Sequence, residues 1–282
     1  MRLLITGVTG QLGSQVVALL SAQGHHVVAP TRAQLDVTEA AAVRAFVGTT
    51  HPDVVVSCAA YTAVDAAEID VAGATALNAD APRHLALACA QVGARMLHVS
   101  TDYVFSGDAH EPYGEDAPTG PRTVYGRTKL AGEAAVLEVL PDSAYIVRTA
   151  WLYGPTGSNF VRTMLRLAAE RATVEVVDDQ WGQPTSARDL AARLVELAMT
   201  EAPPGIYHGT NSGATTWHGF AREAFRLSGL DPGRVRRVSS AQFVRPAPRP
   251  AYSVLGHDRW ALAGLAPMRP WQDALAAALP FD

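Results

Sequence analysis

Residues 3–13 are Leu3-Leu4-Ile5-Thr6-Gly7-Val8-Thr9-Gly10-Gln11-Leu12-Gly13, an apolar run followed by a glycine-rich turn and the start of a helix-like segment. Glycines in such a turn permit a tight bend, close approach of the backbone to a pyrophosphate, and close packing of helix on strand. The free N–H groups at the start of the helix also attract phosphate. Because a strand precedes the glycines and a helix follows, we favour a dinucleotide-binding turn at Gly7, Gly10 and Gly13 over an ordinary strand-to-helix turn.

The first half of the chain alternates short apolar runs with longer helix-like segments. The predicted strands are 3–5, 26–29, 54–56, 96–99 and 145–147. The predicted helices are 12–23, 38–47, 72–92 and 125–139, with Thr38 as an N-cap and with Gly24 and Gly93 just past helix ends. Apolar strands that each lead into a helix indicate a parallel sheet covered on both faces. The predicted fold class is α/β, a doubly wound parallel sheet of the Rossmann type with a smaller C-terminal lobe.

The pattern loosens after Trp151. Helices are predicted over 160–170 and 187–199, and the chain becomes richer in proline, arginine and aromatic residues beyond Gly205. We expect residues 1–150 to form the dinucleotide-binding domain and residues 151–282 to form mostly a substrate-binding lobe over the carboxyl ends of the strands. Part of the later chain, around 186–210, can return to the main sheet, and 206–208 is the candidate strand.

Composition excludes several classes of protein. The chain has 282 residues and a formal net charge of −4, so it offers no basic field for nucleic acid. No run approaches the roughly 18 apolar residues of a membrane span, and the N-terminus does not resemble a signal peptide. The two cysteines, Cys58 and Cys89, form neither a metal box nor a disulfide framework and suit a reducing compartment. We expect a cytoplasmic protein with no nucleic-acid or membrane partner.

The end of the second strand bears on cofactor choice. Enzymes that prefer NAD usually place an acidic residue about 20 residues past the glycines, where it binds the ribose 2′-hydroxyl. Here the sequence has Arg32 and no acid nearby, and a guanidinium matches the 2′-phosphate of NADP. Arg32 could also be an ordinary surface arginine. Asp36 follows the strand end and suits an adenine contact or a local cap.

Three residues carry the candidate chemistry. Tyr125 and Lys129 are four apart on a predicted helix, so they share one face. A phenol titrates near pH 10, and we expect the Lys129 ammonium and an oxidised nicotinamide to lower the pKa of Tyr125. Thr101, at the end of the fourth strand after Ser100, could hold a substrate carbonyl beside the phenol. Tyr-x-x-x-Lys alone arises by chance, but with the strand-end hydroxyl and the glycine turn it indicates an active site.

Together these residues resemble the extended short-chain dehydrogenase/reductases, and finer motifs resemble the dTDP-4-dehydrorhamnose reductases within them. The likeness spans nearly the whole chain. The motifs that carry it are 35–38 (LDVT), 59–65 (AAYTAVD), 100–105 (STDYVF), 124–126 (VYG), 148–153 (RTAWLY), 179–185 (DQWGQPT) and 249–253 (RPAYS).

The resemblance assigns roles to matching positions. It implies that Thr101, Tyr125 and Lys129 are catalytic. The cofactor contacts that it implies, added to those of the glycine turn and Arg32, are Gly10, Gln11, Leu12, Asp36, Val37, Ala59, Ala60, Tyr61, Val99, Tyr125 and Lys129. The implied sugar contacts are Thr101, Asp102, Tyr103 and Trp151. Trp151 and Trp181 could also be core aromatics, although an indole suits stacking on a sugar.

The resemblance also bears on whether the chain binds a metal ion. Several members of the family form dimers through a magnesium site that uses a glutamate in the first helix, and the matching residue here is Gln15. An amide lacks the charge that a hard cation prefers. We therefore expect no metal, and either a monomer or a homodimer.

The function implied is the NADPH-dependent reduction, with NADH possible, of the C4 keto group of dTDP-4-dehydro-L-rhamnose. Three rivals stay open. They are a 4-ketoreductase for another dTDP-4-keto-deoxyhexose of secondary metabolism, a sugar-nucleotide dehydratase or epimerase, and a non-catalytic nucleotide-binding regulatory subunit. The dehydratases resemble one another in having Asp-Glu after the threonine, whereas this chain has Asp102-Tyr103.

Overall fold

The structure is a computed structural model that describes residues 1–281. The strands in chain order are β1 (Arg2–Thr6), β2 (His26–Val28), β3 (Val54–Ser57), β4 (Arg95–Thr101), β5 (Ala144–Thr149), β6 (Leu152–Tyr153), β7 (Val174–Val177), β8 (Trp181–Gly182), β9 (Thr185–Ser186), β10 (Gly205–His208), β11 (Thr215–Thr216) and β12 (Val235–Val238). The α-helices are α1 (Gln11–Ala22), α2 (Ala40–Thr50), α3 (Val64–Ala67), α4 (Val71–Thr75), α5 (Ala81–Val92), α6 (Val124–Val139), α7 (Phe160–Glu170), α8 (Ala187–Met199), α9 (Trp217–Leu227), α10 (Asp258–Leu262) and α11 (Trp271–Ala278).

A six-stranded parallel sheet forms the centre of the molecule, in the order β10-β5-β4-β3-β1-β2. The five predicted strands of the first half coincide with β1 to β5, although β2 ends one residue before Ala29. The strand order reverses at β1, which has β2 on one side and β3 on the other. In open α/β sheets such a reversal opens a crevice at the carboxyl ends of the strands. The predicted fold class is confirmed.

Two apolar cores lie on the two faces of this sheet. One is formed with α1 and α8, through Leu12, Val16 and Leu20 on the first helix and Leu190 and Leu194 on the second. The other is formed with α2, α5 and α6. Strands buried on both faces need apolar residues in sequence rather than in alternation, which explains the continuous runs of the first half.

Two helix predictions need correction. Thr38 is not an N-cap, because α2 begins at Ala40 with Glu39 as its cap, and the Thr38 hydroxyl donates to Asp36 instead. The predicted helix 72–92 is divided into α4, a π-helical turn over Ala76–Asp80, and α5. Pro82 lacks an N–H, so the ordinary bond back to the Asn78 carbonyl cannot form. Gly93 ends α5 in the left-handed region at φ 72°, as predicted.

The chain leaves the main sheet after β5 and later returns to it. The helices predicted over 160–170 and 187–199 are α7 and α8. Strand β10 pairs in parallel with β5, at the place where 206–208 is the candidate strand. A separate layer pairs β7 with β12 beneath α7 and α9 and has its own apolar cluster. The division into two domains near residue 150 stays a prediction.

Candidate active site

A cavity of about 580 Å³ lies at the carboxyl ends of β1, β3, β4 and β5. Every residue assigned to the site from the sequence lines this cavity except Tyr61. These lining residues are Gly7, Gly10, Gln11, Leu12, Gly13, Arg32, Asp36, Val37, Ala59, Ala60, Val99, Thr101, Asp102, Tyr103, Tyr125, Lys129 and Trp151. The topology therefore brings together motifs that are up to 144 positions apart in the numbering (Gly7 and Trp151).

The glycine turn leaves no space for side chains. Gly7 has φ 69°, and a Cβ there would lie 2.6 Å from the Ala59 nitrogen. A Cβ on Gly13 would lie 2.3 Å from the Gly7 carbonyl oxygen. Gly10 precedes α1 and offers no side-chain cap, so the first N–H groups of the helix are left for a ligand. A close-packed turn with a positive helix end suits the pyrophosphate of a dinucleotide.

Arg32 and Asp36 line the same cavity as the glycine turn. The Arg32 side chain is 83% exposed, and its Nε lies 3.3 Å from Asp36 Oδ2. The Asp36 carboxylate accepts from the Thr38 hydroxyl and from the Thr38 backbone N–H, and these bonds hold the pKa of Asp36 below its usual range. Asp36 thus forms a local cap, while the exposed guanidinium of Arg32 can turn toward a phosphate.

Tyr61 is held by Asn78, a residue for which the sequence predicts no role. Asn78, in the π-helical turn, accepts from the Tyr61 N–H at 2.8 Å and donates to the Tyr61 carbonyl at 3.1 Å. Its amide also donates to the Thr128 hydroxyl at 3.2 Å. Asn78 is fully buried and joins the loop of Ala59 and Ala60 to α6. A lone asparagine within a helical pattern gives no sequence signal for this contact.

The Tyr125 phenol and Thr101 face the same end of the cavity. Helix α6 begins at Val124, where the Thr123 hydroxyl accepts from the Gly126 N–H at 3.0 Å. Burial raises the pKa of Tyr125 to about 12, and a hydrogen bond with the Thr101 hydroxyl opposes this rise. We expected the Lys129 ammonium to lower the pKa of Tyr125. In the structure burial outweighs any such effect, so the phenol keeps its proton at neutral pH.

Lys129 is buried and has its own partners. Its ammonium donates to the Val99 carbonyl at 2.6 Å and lies 3.2 Å from His98 Nε2. Burial lowers the pKa of Lys129 to about 8, and the charge of Glu133 one turn later opposes this shift. The His98 ring contacts the Ser57 hydroxyl through Nδ1 at 3.3 Å. His98 was assigned no role from the sequence, because the nine histidines of the chain show no ligand spacing.

Asp102 and Tyr103 lie beside Tyr125. Burial raises the pKa of Asp102 to about 6, while the hydroxyls of Ser253 and Thr101 oppose the rise. The Tyr103 ring meets the Tyr125 ring edge to face, with 5.5 Å between centroids. Ser253 belongs to the late 249–253 motif, so the C-terminal part of the chain comes close to the Asp102 carboxyl.

The motifs at 59–65 and 249–253 are joined directly. Arg249 donates to Asp65 at 2.9 Å, and the Ala247 N–H donates to the other carboxylate oxygen at 3.2 Å. These bonds and the Arg245 charge nearby oppose the effect of burial and leave the pKa of Asp65 below its usual range. This contact ties the late proline-rich segment to the loop that borders the cavity.

Trp151, a predicted sugar contact, and Trp181, which was assigned no site role, have different surroundings. Trp151 lines the cavity and has φ 46°, an unusual backbone conformation for a bulky residue. Its ring packs over Gly182 and stacks on Trp217, with 3.6 Å between ring centroids. Trp181 is 47% exposed and is not among the residues that line the cavity, so it is neither a core aromatic nor a wall of this site. Trp217 belongs to none of the motifs quoted above.

No group of three or more histidine, cysteine, aspartate or glutamate side chains could hold a metal ion among residues 1–281. Gln15 lies on α1 and presents an amide where a carboxylate would be needed for a hard cation. Within the same residues, no helix is long and apolar enough to cross a membrane.

The chain is similar to a family of known proteins over its whole length. The family model described as the RmlD substrate binding domain matches residues 1–280. A dTDP-4-dehydrorhamnose reductase of Streptomyces griseus is 57% identical, over 99% of this chain and 93% of its own. A Streptomyces antibioticus protein described as a probable dTDP-4,6-dihydroxy-2-methyloxan-3-one 4-ketoreductase is 53% identical, over 99% and 95%. The crystal structure of dTDP-4-dehydrorhamnose reductase from Bacillus anthracis in complex with NADP is 39% identical, with a TM-score of 0.95 and 98% of each chain covered.

Proposed function

The chain belongs to the dTDP-4-dehydrorhamnose reductase family and is an NAD(P)H-dependent oxidoreductase, and from this premise we propose that it reduces the C4 keto group of dTDP-4-dehydro-L-rhamnose (dTDP-6-deoxy-L-lyxo-4-hexulose) to give dTDP-L-rhamnose. One observation carries the proposal: the phenol of Tyr125, the hydroxyl of Thr101 and the ammonium of Lys129 lie in one cavity with the glycine turn. Reduction of a ketone needs a hydride, a proton donor and a group that orients the carbonyl. In this cavity NADPH would supply the hydride, Tyr125 the proton and Thr101 the orienting hydroxyl.

NADPH supplies the hydride when it is bound. The glycine turn and the start of α1 would hold its pyrophosphate, and Arg32 would hold its 2′-phosphate, although NADH can also serve. Ala59, Ala60 and Val99 line the stretch of cavity between the two ends. The absence of space for side chains at Gly7 and Gly13 supports this assignment, because the turn packs tightly against the Ala59 backbone and against the start of α1, as a dinucleotide-binding turn requires.

Tyr125 serves as the proton donor in this scheme. Its pKa of about 12 keeps the phenol protonated until negative charge develops on the C4 oxygen of the substrate. The proton then moves from the phenol to that oxygen and leaves a phenolate, and a positive charge on Lys129, four residues later on α6, would stabilise it. The Thr101 hydroxyl, which donates to Asp102 Oδ1 at 3.0 Å in the structure, would turn from that carboxyl to donate to the carbonyl oxygen and fix its position beside the phenol. Asp102, Tyr103 and Trp151 form the surroundings of the sugar.

A second candidate function is the reduction of another dTDP-4-keto-deoxyhexose. The Streptomyces antibioticus relative, at 53% identity, favours it, because that protein's description names a different keto-sugar. Both functions use the same three catalytic residues and differ only in which sugar ring the cavity accepts. A dehydratase is less well supported, since Tyr103 stands where the dehydratases place a glutamate. An intact Thr101, Tyr125 and Lys129 also speaks against a regulatory subunit.

The test is NADPH oxidation by the purified protein with a panel of dTDP-4-keto-6-deoxyhexoses, with NMR of the product to fix the configuration at C4. We expect the largest kcat/KM with dTDP-4-dehydro-L-rhamnose and an L-rhamnose product. A larger kcat/KM with another member of the panel would favour the second candidate. No oxidation with any of them would refute both. We further propose a cytoplasmic location and a monomer or homodimer.

A further inference from the structure

Trp217 is the first residue of α9, in the C-terminal part of the chain, and it reaches the cavity from outside the main sheet. Its ring lies 3.6 Å from the ring of Trp151, centroid to centroid, and the two planes differ by 12°. Two indoles stacked this closely share most of one face each. The surface of Trp151 that remains for a ligand is therefore fixed by where Trp217 lies.

Trp217 is itself held from several sides. The Thr216 hydroxyl before it donates to Asp178 at 2.5 Å and accepts from the Gly219 N–H at 3.0 Å, which caps α9. Strand β11, which ends at Thr216, pairs with β8. The Phe160 ring packs against the indole at 4.6 Å between centroids. The indole thus belongs to a supported scaffold, so it can impose an orientation on a neighbour.

Trp151 depends on such support. A non-glycine residue in the left-handed region costs free energy and persists only where its surroundings hold it. Gly182 provides part of the space, since a Cβ there would lie 2.5 Å from the Trp151 ring. The backbone, Gly182 and Trp217 together therefore leave the Trp151 ring little freedom to rotate. A residue confined in this way presents one defined face to the cavity.

We propose that Trp217 is a positioning residue that orients Trp151 against the pyranose ring of the nucleotide-sugar substrate. The apolar C–H face of a sugar ring packs on an indole, and a ring fixed in advance binds it without first losing rotational freedom. This inference rests on the proposed function, because it assumes that the site binds a nucleotide sugar. It assigns substrate affinity to the pair of indoles and not to Trp151 alone.

The kinetic test compares Trp217→Ala and Trp217→Phe with wild type. We expect Trp217→Ala to raise the KM for the keto-sugar about 10-fold and Trp217→Phe to raise it about 3-fold, as is typical when an aromatic pair is lost or reduced. The KM for NADPH should stay within about twofold in both. Trp181→Phe is the matched control, because Trp181 pairs with Thr216, the residue before Trp217, and does not line the cavity. An unchanged keto-sugar KM in Trp217→Ala would overturn the proposal.

A second readout does not require turnover. Stacked indoles couple excitonically, so the circular dichroism spectrum of wild type should contain a couplet that is lost in both Trp217→Phe and Trp151→Phe. dTDP-glucose is a stable probe of the sugar site, and we expect it to change the couplet while NADP⁺ alone does not. If the couplet does not change when dTDP-glucose is added, the proposal is overturned, even if the protein reduces the keto-sugar. If dTDP-glucose changes the couplet but the protein reduces none of the keto-sugars, the positioning role of Trp217 is supported and the proposed reaction is refuted.

A double-mutant cycle separates positioning from independent packing. If Trp217 acts through Trp151, Trp217→Phe should add little to the keto-sugar KM once Trp151 is phenylalanine. Effects that simply multiply would show that each indole contacts the substrate alone. Trp217→Phe serves throughout, because it preserves an aromatic ring over Phe160 and so keeps the test valid if Trp217→Ala folds poorly.

Discussion

The Tyr125 hydroxyl is one oxygen atom whose removal isolates proton transfer from every other part of the site. Tyr125→Phe should lower kcat by about 10²- to 10⁴-fold, the usual contribution of a general acid. The ring still packs against Tyr103, so binding of NADPH, followed by fluorescence titration, should be unchanged. A variant that kept more than about a tenth of wild-type turnover would show that another group donates the proton.

Substitution of Arg32 tests whether its exposed guanidinium sets the preference for NADPH over NADH. Arg32→Ala should raise the KM for NADPH by about 10-fold or more, because a charge-assisted contact to the 2′-phosphate contributes roughly 1.5–3 kcal/mol. NADH lacks that phosphate, so its KM should hardly change. Arg32→Lys is the matched variant and should keep part of the preference, since an ammonium provides charge without the bidentate geometry. Equal effects on the two cofactors would contradict the assignment.

Residue patterns in the sequence were sufficient to place most of the cavity wall. Gly7, Thr101 and Tyr125 could be assigned because their chemistry requires particular residue types at particular strand or helix ends. Asn78, His98 and Trp217 could not, since each acts through a partner distant in sequence. Their contacts depend on how elements cross in space, which no local spacing encodes.

At the scale of elements, α6 and the π-helical turn make a close backbone crossing. A Cβ on Gly132 of α6 would lie 2.1 Å from the Asn78 carbonyl oxygen. Gly132→Ala should therefore force the two elements apart and lower the free energy of unfolding by about 1–3 kcal/mol. Activity should fall as well, because Asn78 also binds the Tyr61 backbone. Urea unfolding measures the first effect and NADPH oxidation the second.

Gly48 on α2 is the matched control for that substitution. Nothing lies within 4 Å of a Cβ added there. Gly48→Ala should raise the free energy of unfolding by about 0.4–1 kcal/mol, because alanine loses less backbone entropy in a helix. A loss of stability at Gly48 comparable to that at Gly132 would show that the close crossing with Asn78 is not what makes Gly132→Ala destabilising.

Helix ends show the limit of sequence patterns for elements. The segment 72–92 has the composition of one helix, and its residue pattern predicts one. Pro82 could have signalled the interruption, but proline is also common at the first positions of a helix and so gives no unique prediction. The close approach of Gly132 is a tertiary contact, and it becomes visible only once α6 is placed.

For the whole molecule, Gln15 leads to a prediction about metal. Activity and sedimentation should be the same in excess magnesium and after exhaustive chelation, because an uncharged amide coordinates a hard cation weakly. Loss of a dimer on chelation, reversed by magnesium, would contradict this expectation. The acids Glu175, Asp178 or Asp189 would then be the candidates for ligands. Asp178 and Asp189 already pair with Arg237 and Arg269, so any such site would have to break these ion pairs.

Buried histidine makes stability depend on pH. Burial lowers the pKa of His208 from 6.5 to about 3, and the nearby Arg148 charge acts in the same direction. Below about pH 6.5 His208 is protonated in the unfolded chain but stays neutral in the folded protein. The contribution of His208 to the free energy of unfolding is therefore complete above pH 6.5 and is lost as the pH falls. His208→Gln removes the titration. Between neutral pH and about pH 5, the variant should lose about 2 kcal/mol less than wild type in urea unfolding. Equal losses would contradict the assignment.

The return of the chain to its first sheet has a consequence for how the protein is made. The face of α1 is covered by α8, and the same core is completed by Tyr207 on β10 and by Trp260. A ribosome that has released only residues 1–150 has therefore produced a sheet with one open edge and an uncovered apolar helix. We expect arrested nascent chains of this length to be cleaved readily by protease and bound by chaperones, while chains that extend past Trp260 become resistant. The central sheet is the first part of the protein to be synthesised, and its core is among the last to be completed.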